Sequence, residues 1–218
     1  MSNEDWAKQL TARVAEELRT ARKAAGLTVA ELAGACADRG LPVPATTITN
    51  LENGRRHSVD LAEFLVLADA LDVPPVSLLY PLASAPSVER LPGQETSTWQ
   101  ALAWFTGETP TTGPAPEGSH RELLDTFRAH ADAVATALVS TSLAKERRRK
   151  ASTTLDPARR ATLLEAATGY EELAFDDCRE LRAFRTTLRE RGLHPPALPE
   201  ELAFVDQEDT EDDPKGDE

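Results

Sequence analysis

Residues Thr47 to Arg56 read "TITNLENGRR", and this stretch decides how the N-terminal third of the chain folds. Ile48 and Leu51 lie three apart, which places both on one face of a single short helix. Thr46, Thr47, Thr49 and Asn50 fall on other faces, as small hydrogen-bonding groups. Asn53-Gly54 is a stop signal, because glycine tolerates the left-handed conformation that ends a helix. Arg55 and Arg56 follow at once, placed to reach outward past the helix end.

Outward from this stretch, residues 6–80 read as a run of short helices. Leu10, Val14, Leu18, Ala21 and Ala25 make a helical stripe that stops at Gly26. Thr28 and Glu31 have capping-box spacing, each side chain able to bond the other's backbone amide. They open a helix through Leu32, Ala33 and Cys36. "DRGLPVPA" (Asp38–Ala45) is a turn, and the Thr46–Asn53 helix follows it. Asp60 and Glu63 repeat the capping pattern ahead of Leu61, Phe64, Leu65, Ala68 and Leu71. "VPPVSLLY" (Val73–Tyr80) gives a last short helix, since proline suits a first turn.

The other half reads differently. From Pro81 to Gly118 the composition shifts to Pro, Ser, Thr and Gly, the mark of a linker. Within it, Trp99, Leu102, Ala103 and Phe105 predict two helical turns pinned against a neighbour. Ser119 and Glu122 begin a long helix striped by Leu123, Phe127, Ala131, Val134, Leu138 and Val139. It ends in the basic cluster Lys145–Lys150, most simply a solvated helix end that suits the dipole, with a second DNA contact as the sharper alternative. Asp156-Pro157 starts another long helix, in which Leu163, Ala167, Tyr170, Ala174, Asp177, Leu181, Phe184 and Leu188 alternate spacings of four and three. Two such helices make a hairpin that leaves apolar surface uncovered, and a second copy would cover it. From Leu193 the chain is Pro-rich and then acidic, with disorder expected at its end.

At 218 residues and 40% hydrophobic content, the chain can build one large or two small cores. No apolar run is long enough to span a membrane, and the opening "MSNEDWAKQL" does not read as a signal peptide. Two cysteines, Cys36 and Cys178, supply neither a disulfide framework nor a metal cluster. The net charge of −13 is unevenly spread: Asp206–Glu218 alone carries eight acids and one lysine, whereas residues 10–80 hold seven Lys/Arg against nine Asp/Glu. A nearly neutral domain binds phosphates if its few cations share a face. Enzyme signatures are missing: no Gly-rich phosphate loop, no His-Glu-x-x-His, no Gly-x-Ser-x-Gly, and four scattered histidines. No catalytic residues, metal or cofactor are expected.

Leu18-Arg-Thr-Ala-Arg22, Gly26-Leu-Thr-Val-Ala-Glu-Leu-Ala33 and Ile48-Thr-Asn-Leu-Glu-Asn-Gly54 stand in this order. With them in place, residues 11–80 resemble the lambda-repressor-like (XRE-type) helix-turn-helix family. The resemblance implies five helices with the third reading double-stranded DNA. It implies base-edge positions at Ala45, Thr46, Thr49 and Asn50, with Asn50 able to pair bidentately with adenine. It implies backbone contacts from Thr28, Asn53, Arg55 and Arg56, and a structural ion pair between Arg22 and Glu52. The turn before the reader is longer than the family's usual one, and Pro44 stands where a capping Ser or Thr is common.

The expected architecture is all-α: an N-terminal extension (1–10), a five-helix DNA-binding domain (11–82), a linker with a short Trp-containing helix (83–118), a helical hairpin (119–192) and a tail (193–218). Leu163, Tyr170, Leu181, Phe184 and Leu188 are the residues expected to pair two copies. The expected protein is a bacterial, cytoplasmic and nucleoid-associated homodimeric repressor. The runner-up is a helix-turn-helix protein whose C-terminal half binds another protein, as an antitoxin or co-regulator would.

Overall fold

The computed structural model describes residues 3–110 and 113–207, divided into two compact units, 1–110 and 111–218. The acidic run 208–218 lies outside the described residues.

The first unit opens with α1 (Asn3–Ala24), α2 (Val29–Asp38), α3 (Ala45–Glu52), α4 (Leu61–Ala70) and α5 (Pro75–Leu79). α1 begins well inside the segment assigned to an extension, so Leu10 and the residues before it form its first turns. The starts follow from local chemistry. Thr28 accepts from the Glu31 amide while its own amide donates to the Glu31 carboxylate, and the Asp60 carboxylate caps α4 at Ala62 and Glu63. These short helices are marginal alone. What holds them is one shared core: Val14 and Leu18 of α1, Leu32 and Cys36 of α2, Ile48 and Leu51 of α3, and Phe64 and Leu67 of α4. Each such side chain, fully buried, contributes about 1.5–3 kcal/mol.

The segment read as a linker is built onto this unit. Ser87–Leu91 (β1) and Gln94–Ser97 (β2) pair antiparallel around Pro92-Gly93, with Gly93 at φ 74°. Ser97 then caps α6 (Thr98–Thr106), which ends on left-handed Gly107. Val88, Ala101 and Tyr80 form a small second core, and the Trp6 indole donates to the Glu89 carbonyl at 3.1 Å. The inward face of α6 is Thr98, Ala101 and Ala103. Trp99, expected to pin the segment, is instead 61% exposed, because the helix phase is set by these smaller residues.

The second unit is a hairpin of α7 (His120–Thr153) and α8 (Pro157–Glu190), each 34 residues. Ser119 caps α7, and Asp156 caps α8 with Pro157 in its first turn. Their seam runs through His130, Ala137, Ala144 and Ala151 on α7 and Ala167, Ala174, Leu181 and Leu188 on α8, each set spaced by sevens. α7 therefore presents alanines and His130 at the seam; of the larger stripe expected from Leu123 to Val139, Val134 and Leu138 are half-buried against the core, while Ala131 and Val139 are exposed. Small seam residues let two helices approach closely, so side-chain size, not only apolarity, selects the buried face.

The chain after α8 folds back. Leu198 and the 3-10 helix Glu200–Asp206 pack Leu202 and Val205, both fully buried, against Val134, Ala137, Leu138 and Leu181. Arg182 donates to the Val205 carbonyl, and Arg191 grips the Glu122 carboxylate at 2.8 and 2.9 Å. Residues 193–207 are thus a third layer over the hairpin, not a loose tail.

Candidate nucleic-acid interface

α3 is held from three sides. Ile48 and Leu51 are 2% exposed in the core beneath it. Val43, equally buried, anchors the six-residue turn from Arg39 to Pro44, where Gly40 takes φ 86°. Arg22 reaches from α1 to clamp Glu52 bidentately, both bonds at 2.7 Å, and gives its remaining nitrogen to the Leu27 carbonyl. Their side chains are only 11% and 7% exposed, and the hydrogen bonds to Glu52 raise the Arg22 pKa further. A bidentate guanidinium–carboxylate pair fixes orientation as well as distance. It locks the end of α3 to α1.

Thr46 and Asn50 are the exposed polar side chains on the outer face of α3, one turn apart. Ala45 and Thr49 are half-buried, and the Thr49 hydroxyl donates back to the Ala45 carbonyl at 2.8 Å. The Thr49 hydroxyl proton is thus engaged and its oxygen can only accept from a further partner, while Asn50 keeps a whole carboxamide. Pro44 provides no side-chain cap, so the first amides of α3 are left to other acceptors.

Past the helix, Gly54 sits at φ 67°, and the Arg55 and Arg56 amides both return to the Asn50 carbonyl, at 2.9 and 3.1 Å. The reader and the two arginines are thus tied through one residue. Arg55 is exposed and makes no ion pair among the described residues. Arg56 lies 2.6 Å from a Glu63 oxygen, close but without hydrogen-bond alignment. Asn53 is exposed at the helix end. The Thr28 hydroxyl is spent on Glu31, whose carboxyl is held below its ordinary pKa by the Thr28 amide and hydroxyl. What the start of α2 offers a phosphate is its free amides, next to a carboxylate. Arg39 turns away, donating to Asp69 and to the Ala35 carbonyl. Glu31 and Glu63, which tune these groups, are residues that sequence reasoning treated only as caps.

The residues expected to pair two copies are not on one surface. Leu181 and Leu188 are fully buried within their own chain. Phe184 is half-buried with its ring edge-on to His130, at 5.9 Å between centroids. Leu163 is half-buried, and Tyr170 lies under the Arg147 guanidinium. The exposed large apolar side chains of the hairpin are Leu124, Val139, Leu155, Leu173 and Phe175. Among the described residues no cluster of His, Cys, Asp or Glu is arranged to hold a metal, and no helix is long and apolar enough to cross a membrane.

Comparison with curated proteins and with solved structures gives no match. A family model does match: residues 13–79 fit that of the helix-turn-helix domain. This range spans the second half of α1 through α5 and includes every residue described above around α3. The segment 13–79 is therefore a helix-turn-helix domain, the kind of module that marks a DNA-binding regulator.

Proposed function

We propose that the protein is a sequence-specific transcriptional regulator, acting as a homodimeric repressor on an inverted-repeat operator. The observation that carries this reading is the exposed pair Thr46 and Asn50 on a helix whose other side is buried and clamped by Arg22–Glu52. A reader must be rigid, because positional freedom at the base edges is lost on binding. Asn50 pairs with adenine N6 and N7, the Thr46 and Thr49 methyls meet thymine, and Ala45 permits close approach. Arg55, Arg56, Asn53 and the start of α2 at Thr28 set the register on phosphates. Two copies place their α3 helices in successive major grooves, about 10 base pairs apart, and the occupied operator excludes polymerase. Leu173, Phe175 and Val139 give a second copy apolar surface on the hairpin.

The test is selection from fragmented genomic DNA by the full chain, with Asn50→Ala in parallel, at a salt concentration where non-specific binding is weak. Enrichment of an inverted repeat that Asn50→Ala loses supports the reading. No enrichment sinks it. A second reading, a helix-turn-helix domain that works by binding protein, is favoured by one feature. A cleft of about 480 Å³ in the first unit is lined by Trp6, Leu10, Phe64, Leu65 and Phe105, with Leu61 on its rim 71% exposed. A stoichiometric second polypeptide in pull-downs, lost with Leu61→Asp, would select that reading instead.

A further inference from the structure

The connection between α7 and α8 concentrates cations in a chain that is otherwise strongly acidic. Residues 145–160 contain seven Lys/Arg against two acids, a net of +5 in a protein of net −13. Lys145, Arg148 and Arg149 lie at helical spacing and wall a trough of about 500 Å³ floored by Ala144 and Ala174. Arg148 is partly neutralised by Glu171 at 3.3 Å, and Arg147 stacks over Tyr170. Arg160 donates to the Thr154 carbonyl that closes the turn. Lys145, Arg149, Lys150 and Arg159 are exposed and make no ion pair among the described residues.

Helix electrostatics accounts for little of this cluster. Cations favour the last turn of a helix, an argument that reaches Lys150 but not Lys145 or Arg147, which lie further back. Arg159 and Arg160 stand in the first turn of α8, at the positive end of its dipole, where the Asp156 cap supplies a carboxylate but the turn itself holds two cations and no acid. Arg159 and Arg160 therefore oppose the local dipole and the cluster as a whole repels itself, and neither effect aids folding. A polyanion reverses both. At about 1.5 Å per residue, helices of 34 residues carry this tip roughly 50 Å from the hairpin's base.

We propose that the α7–α8 tip is a second DNA contact that grips phosphates without reading sequence, through Lys145, Arg149, Lys150 and Arg159. This assignment rests on the regulator reading, which it extends from the reader helix to the duplex outside the operator. Both arrangements of contacts serve different ends: α3 discriminates bases, and the tip adds salt-sensitive affinity along the backbone.

The test uses the full chain with Lys145→Gln, Arg149→Gln, Lys150→Gln and Arg159→Gln combined, titrated against a long duplex carrying the selected site over a range of salt. Glutamine keeps helix propensity, and a companion variant exchanging Lys and Arg at the same four positions controls for folding. The expected result is a salt slope reduced by about 2–4 with base preference unchanged, and the exchange variant matching the parent. An unchanged slope overturns the tip assignment, as does polyglutamate competing for the tip as well as duplex DNA of equal charge. If the parent shows no Asn50-dependent preference, the regulator reading fails separately, and the tip is judged by the slope on non-specific DNA.

Discussion

Arg185 Nη1 lies 2.8 Å from His130 Nε2, and both residues are 2% exposed. An arginine nitrogen has only hydrogens to give, so Nε2 must accept, which makes His130 a neutral ring with its proton on Nδ1. Burial pushes the His130 pKa below its ordinary 6.5 and the Arg185 charge pushes it further, against a smaller pull from Asp206. The unfolded chain therefore takes up this proton at a higher pH than the folded one. Stability from the neutral ring is complete above 6.5 and is lost as pH falls from there through the lowered folded value. The melting temperature should drop as pH falls below about 6.5, and His130→Gln, which keeps an acceptor, should flatten that limb. All three tryptophans (Trp6, Trp99, Trp104) lie in the first unit, so the drop should show in far-UV circular dichroism while tryptophan fluorescence barely moves. A limb equally steep in His130→Gln would place the titrating group elsewhere.

The same guanidinium clamps Asp206 at 2.6 and 2.8 Å, and Arg189 adds a third bond. The Arg185 hydrogen bonds hold the Asp206 carboxyl at about 2, below its ordinary 3.8. This contribution is present above 3.8 and disappears as pH falls from there to about 2. Asp206→Asn leaves Arg185 buried with its charge unmatched. Asp206 is itself a third exposed, so the loss should be about 3 kcal/mol, the low end for a broken buried pair. Denaturant titration followed by circular dichroism measures it; a change under half that size would mean that water replaces the carboxylate.

Gly54→Ala tests how the reader and its flanking arginines are joined. At φ 67° a Cβ is strained by about 1–2 kcal/mol even though open space surrounds the site. The expected readout is twofold: a melting temperature lower by a few degrees in tryptophan fluorescence, and weaker DNA binding as the Arg55 and Arg56 amides lose their common acceptor at Asn50. Normal affinity with lowered stability would show that the tie to Asn50 is scaffold alone.

Arg55 and Arg56 should not behave alike. Arg55→Ala removes an unpaired cation and should lower the salt slope by about 1 with base preference intact. Arg56→Ala should lower it less, because Glu63 already neutralises part of that charge. Glu63→Gln is the informative partner, since it should raise affinity and steepen the slope. If instead Glu63→Gln leaves binding unchanged, Arg56 is a strut between α3 and α4.

Much of the first unit was legible because its signals are local. Thr28 and Glu31 are three residues apart and form both bonds of the capping box; Gly54 ends α3 where the Asn-Gly pair stands. The seam of α8 was legible for the same reason, its alternate members Ala167, Ala174, Leu181 and Leu188 being the deeply buried half of the heptad. The seam of α7 was not, because a search for large apolar side chains passes over Ala137, Ala144 and Ala151. The β-hairpin escaped notice since its strands are mostly polar, although Pro92-Gly93 marked the turn. The joining of His130, Arg185 and Asp206 has no local signature at all: the three are brought together only by the fold-back of residues after α8.

That fold-back is the feature most at odds with composition, and Leu202 tests it. Pro-rich and acidic sequence suggests a solvated tail, for which truncating one leucine changes stability by less than about 0.5 kcal/mol. The structure instead buries Leu202 completely against Ala137, Cys178 and Leu181, with Val205 beside it. Leu202→Ala should therefore cost about 2–5 kcal/mol, as for other buried leucines. Because the second unit has no tryptophan, the loss should appear as an early transition in circular dichroism, with the fluorescence transition unmoved. The variant should also raise the hydrogen-exchange rate of α7 around Val134 and Ala137, which Leu202 and Val205 cover. Protection there equal to the parent's would mean that the hairpin is stable without its third layer.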